Sequence, residues 1–134
     1  MNPLSLPLAK RKFFCIGASL LASIAVAFTL PAELIEKVPM VQAGMIINGL
    51  VIGTMLTFVG VFTWHPVFKF RMHPIFRGAL IAAFVHLDYT IYTWSDQPLF
   101  WKTMIIAAVF GAVIDQMATQ LYGEGDKLLK GMNK

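Results

Sequence analysis

Three side chains able to carry a proton or a charge, His86, Asp88 and Asp115, stand inside long apolar stretches of the sequence. An imidazole beside a carboxylate in a medium of low dielectric can pass a proton near neutral pH, and the same pair can also clamp two helices through a hydrogen bond. At a helical rise of about 1.5 Å per residue, His86 lies roughly 12 Å from a helix start at Gly78, and Asp115 roughly 10 Å from a helix end at Tyr122. The two are therefore expected at similar depth on adjacent antiparallel helices. Each belongs to an i, i+4 row of small or polar residues: Gly78, Ala82, His86 and Thr90 on one helix, Ala107, Gly111, Asp115 and Thr119 on the other. Packing these rows together predicts that Asp115 accepts a hydrogen bond from His86. Asp88 points about 200° away from His86. It is expected to face the first or second apolar segment, another copy or a cavity, with Tyr89 or Tyr92 as a donor. Asn48 and Gln116 are expected to make packing hydrogen bonds.

The segments that must position these groups are membrane-like. Of 134 residues, 57% are hydrophobic and only 13% charged, against about 25% charged in a typical soluble domain, and the mean hydropathy is +0.69. The sequence therefore reads as an all-α integral membrane protein, four transmembrane helices in an up-down bundle. The spans are expected at about 13–30, 41–63, 78–94 and 103–122, in one transmembrane domain over 13–122, between a basic head at 1–12 and a polar tail at 123–134. The basic head followed by an apolar run also fits a cleavable signal peptide with small residues near Ala25 and Ala27. The length of the run favours a retained span. Of the eleven lysines and arginines, nine fall in the head, in the loop at 64–77 and in the tail. By the positive-inside rule, both termini and that loop are cytoplasmic, which places the protein in the inner or plasma membrane.

Two further features concern packing and lipid. Gly49 and Gly53, followed by Thr57 and then Gly60, form a small-residue stripe where another helix can approach closely, within the chain or between copies, and Gly111 serves the same end on the fourth segment. The loop contains a tandem echo, His65-Pro-Val-Phe-Lys and His73-Pro-Ile-Phe-Arg. Its aromatic residues, interleaved with His65, Lys69, Arg71, His73 and Arg77, suit a segment at the lipid headgroups. No metal is expected, since two histidines without a nearby carboxylate or thiolate leave the coordination incomplete. The single cysteine, Cys15, allows no intrachain disulfide. No cofactor motif and no basic, aromatic-lined groove for nucleic acid is visible.

Gly123-Glu124-Gly125-Asp126 resembles the GxGD motif of aspartyl intramembrane proteases and prepilin peptidases. The resemblance covers about seven residues and implies a dyad of Asp126 with Asp88 or Asp115, two carboxyls sharing a proton to activate water. In those enzymes the motif lies against a further apolar segment, whereas here a polar stretch follows, and no catalytic residue is assigned. The expectation is a non-enzymatic membrane component, an accessory or assembly subunit or a self-associating scaffold, in contact with lipid and with copies of itself or a partner membrane protein. The alternative is a small oligomeric transporter or channel for protons or cations built on His86, Asp115 and Asp88. In both cases Asp115→Asn is expected to leave the fold intact.

Overall fold

The structure, a computed structural model, describes residues 6–65, 67 and 69–129, with the backbone alone for Tyr89 and Tyr92. The first five residues of the head, the last five of the tail and the side chains of those two tyrosines, expected as donors to Asp88, lie outside the described residues. The chain is all-helical: α1 (Pro7–Ala27), α2 (Ala32–Lys37), α3 (Val41–Val59), α4 (Pro74–Thr90), α5 (Gln97–Tyr122) and α6 (Asp126–Leu129), with a 3-10 turn at Ile91–Thr93 after α4. Among the described residues the only β pairing is an isolated bridge between Trp64 and Arg71.

Local chemistry sets the helix boundaries. Proline occupies the first turn of α1, α4 and α5, where its missing N–H costs nothing and its fixed φ suits a helix start. His73 precedes Pro74 in extended conformation and its ring nitrogen accepts from Ile75 N, so the second His-Pro copy caps a helix. The first copy remains in a tight loop, with His65 N bonded to Phe70 O and Lys69 N to His65 O. Helix α4 accordingly begins one turn before the expected start at Gly78, and Arg77 belongs to it rather than to the loop. Asp96 caps α5 by accepting from Leu99 N, which starts that helix before the expected residue 103. The connection expected between the first two segments contains the short helix α2.

Two helices, α3 and α5, are long and apolar enough to cross a membrane. In α1 the triplet Lys10–Arg11–Lys12 sits inside the helix, and α4 has 17 residues that include Arg77 and Asp88. Those charges and that length separate α1 and α4 from the other two.

Helix α1 packs on α3, α3 on α4, α4 on α5, and α5 back on α1. The closest approaches are made through glycine. A Cβ on Gly53 would stand 2.7 Å from Cys15 O and from the Ile16 Cα, so the stripe on α3 is spent within the chain, against α1. Thr57, buried one turn on, returns its hydroxyl to Gly53 O. On the other side a Cβ on Gly78 would stand 2.2 Å from Gly111 O, and one on Gly111 would stand 2.3 Å from the Ala82 Cβ. The two small-residue rows of α4 and α5 do face each other. Their register puts Gly78 level with Gly111 and Asp115, leaving His86 about 12 Å further along.

Candidate functional site

At the end of the molecule where α1 and α4 begin and α3 and α5 end, four charged side chains converge. Asp115, fully buried on α5, receives Arg11 and Arg77, which are also buried. Arg77 bonds it in two-pronged fashion, Nε to Oδ2 at 2.8 Å and Nη2 to Oδ1 at 3.2 Å. Arg11 Nη2 donates to Oδ1 and to Leu56 O. The remaining donors are spread over neighbouring acceptors: Arg11 Nη1 over Thr119 Oγ1 and Gly123 O, Arg77 Nη1 over Phe62 O and Glu124 Oε2. Two guanidiniums thus face two carboxylates, and the buried group has no formal excess charge. Such balance matters, because an unpaired charge out of water costs several kcal/mol.

The helix geometry explains the meeting. Asp115 and Thr119 are one turn apart on the same face of α5, and Gly123 follows after another turn; this row presents a carboxylate, a hydroxyl and a carbonyl to the cations. Within Lys10–Arg11–Lys12, successive residues turn by about 100°. Lys10 and Lys12 are exposed while Arg11 enters the bundle, over Gly60, where a Cβ would lie 2.4 Å from its guanidinium. Only a lysine would be comparable in reach, and it has no planar fork. Arg77→Lys is expected to lower the unfolding free energy by about 2 kcal/mol, since it loses several charge-assisted hydrogen bonds while keeping the charge; reversible denaturation in mixed micelles checks this.

Glu124 closes the site from the tail. It receives Arg77 at 3.1 Å and the exposed Arg71 at 2.9 Å, while Gly125 N bonds Gly60 O and Leu128 is fully buried. Burial raises the Glu124 carboxyl, but hydrogen bonds from Arg71 and Arg77 and their charges outweigh it and hold the group below its ordinary value of 4.5. A carboxyl lowered on folding contributes its stability above the unfolded value and loses it as pH falls through the folded one. The protection of amides 123–129, measured against their intrinsic exchange rates, is therefore expected to be constant around neutral pH and to fall as the solution is acidified below 4.5.

The expected pairing of His86 with Asp115 is not formed. His86 Nδ1 lies 3.0 Å from Asn48 Oδ1, and Asn48 Nδ2 donates to Val85 O and to Asp88 Oδ1, both at 3.2 Å. With the amide nitrogen so committed, its oxygen accepts from a protonated Nδ1 of His86. Asp88 thus faces α3, one of the expected directions. Asn48 has become the hub that joins the two α4 residues. The rows were matched correctly in face and wrongly in register, because Gly78 and Gly111 allow their closest contact two turns from His86.

Arg11 and Arg77 are the functional candidates that sequence reasoning assigned elsewhere, to the head and to the lipid-facing loop. The available signal was Asp115 itself: a carboxylate in an apolar helix calls for a cation, and the arginines at the segment borders can reach inward. Of the other loop residues, His65 Nδ1 accepts from Val67 N, Arg71 meets Glu124, and Lys69 adopts a left-handed φ of 53°. Asp126 is exposed at the start of α6, and the Asp115 oxygens meet guanidiniums rather than a second carboxyl. Gln116 Oε1 is buried without a hydrogen-bond partner among the described residues. Among the described residues no group of three or more His, Cys, Asp or Glu could hold a metal ion. Comparison with protein-family models, with curated proteins and with solved structures gives no match.

Proposed function

We propose that the chain is a non-enzymatic structural component of the inner or plasma membrane, spanning it four times in an up-down bundle with both termini cytoplasmic. It serves as an accessory subunit or self-associating scaffold. The observation that carries this reading is the closure of Asp115 by two guanidiniums. Its oxygens hold α1, α4 and α5 together. The cations that bind it are the same ones that would mark the cytoplasmic side. Retention of α1 belongs to the proposal, since cleavage near Ala25 or Ala27 would remove Arg11 from the cluster. Large apolar side chains point outward on every long helix, among them Leu21, Phe58, Phe84 and Ile105, as lipid contact requires.

The test is native mass spectrometry of the protein extracted gently from its own membrane. A fixed multiple of the chain mass, or foreign protein in constant ratio, is expected, and a bare monomer would contradict the proposal. The transporter reading is supported by one observation, the His86–Asn48–Asp88 chain, which leads from the bundle interior to an exposed carboxylate. It would be carried by His86 and Asp88 rather than by Asp115, and requires His86→Gln to abolish pH-driven flux in proteoliposomes.

A further inference from the structure

The molecule has a second polar interior, separate from the ion cluster. A narrow cleft of about 40 Å³ lies between α1 and α5 over a floor made by α3 and α4. Its rim is partly exposed and apolar, with Ala22 and Val26 on one side and Ile106 and Phe110 on the other. Within it stand His86 and Ser19. Ser19 is 3% exposed and its hydroxyl has no hydrogen-bond partner among the described residues. A buried hydroxyl left unpaired is destabilising, because it has given up its hydrogen bonds to water. The lining contains no Lys, Arg, Asp or Glu, and Arg11, the cation on the same helix, is about 12 Å away by helical rise and committed to Asp115.

We propose that this cleft takes the end of a neutral single-chain amphiphile from the bilayer, a hydroxyl or carbonyl on Ser19 Oγ with its alkyl chain leaving between the Ala22 and Val26 side of the rim and the Ile106 and Phe110 side. Each observation selects part of that chemistry. The unpaired hydroxyl calls for an oxygen function. A lining without fixed charge rejects an ionised headgroup, which would remain uncompensated there. The small volume, room for roughly three waters, admits a chain end and excludes a ring system. An apolar rim between two helices admits a ligand from lipid. The inference rests on the membrane reading.

The experiment is photolabelling in proteoliposomes, with a long-chain primary alcohol carrying a diazirine next to the hydroxyl end. Peptide mapping is expected to find label around Ser19 and Ala107–Phe110 above that at the outward Phe84. Unlabelled alcohol should compete, and the carboxylic acid of equal length should not. Ser19→Ala should reduce cleft labelling about five-fold, the factor that one net hydrogen bond of about 1 kcal/mol represents, with labelling at Phe84 unchanged. Label confined to outward residues, equal competition by the acid, or full labelling of Ser19→Ala would each overturn the proposal. Those outcomes leave the membrane reading in place provided the protein resists alkaline extraction from the vesicles. A chain washed off at high pH would overturn both.

Discussion

Asp115→Asn is expected to lower the unfolding free energy by about 3–5 kcal/mol, the usual cost of removing one partner from a buried ion group. The asparagine keeps the shape, but Arg11 and Arg77 then face Glu124 alone, and one buried guanidinium is left without a counter-charge. The measurement is denaturant or thermal unfolding in micelles against the unaltered chain. This differs from the expectation drawn from sequence, where Asp115 accepted a hydrogen bond from His86 and the substitution left the fold intact. A loss below about 1 kcal/mol, the level of an exposed pair, would mean that water reaches the cluster.

The second large effect is steric. Gly78→Ala would set a Cβ 2.2 Å from Gly111 O and 2.7 Å from the Asp115 Cβ. The first neighbour is backbone and cannot rotate away, so α4 and α5 must separate. That shift would also pull Arg77 from Asp115, since Arg77 directly precedes the glycine. The expected loss is about 3 kcal/mol or more, at the upper end for an overpacked core. Gly17→Ala is the internal comparison: nothing lies within 4 Å of its added Cβ, and relief of the glycine helix penalty should stabilise by up to about 1 kcal/mol. Equal effects at the two sites would show that helix propensity, not close approach, governs these positions.

What could be read from the sequence divides along a physical line. The helical segments followed from apolar length, whereas the prolines in the first turns of α1, α4 and α5 start those helices earlier than the apolar runs suggested. The facing of Gly78 and Ala82 toward Gly111 followed from the i, i+4 rows, because small residues permit approach whatever the register. Register itself did not follow. The depth of His86 was judged from a helix start at Gly78, but α4 starts at Pro74, and that extra turn brings Arg77 level with the Asp115 carboxylate. Arginine hides its role for a related reason. Its charge lies at the end of a long flexible stem, so a residue at a segment border can serve the headgroups or the interior, and residue type does not choose. Lys10, Arg11 and Lys12 look alike in sequence, and only the helical phase of α1 turns the middle one inward. Asn48 was seen as a packing residue; joining His86 to Asp88 required the α3–α4 pairing, which no local pattern encodes.

Arg11 and Asp115 act as one neutral unit holding the bundle. A double-mutant cycle on Arg11→Gln and Asp115→Asn tests it most directly, with unfolding free energy as the readout. Asp115→Asn leaves a buried guanidinium uncompensated and Arg11→Gln removes one of the two cations on Asp115, whereas the double variant leaves Arg77 balanced by Glu124. The expected result is that the double variant recovers much of the loss, with a coupling energy of about 1–3 kcal/mol. Losses that simply add would contradict the clamp and free Asp115 for another role.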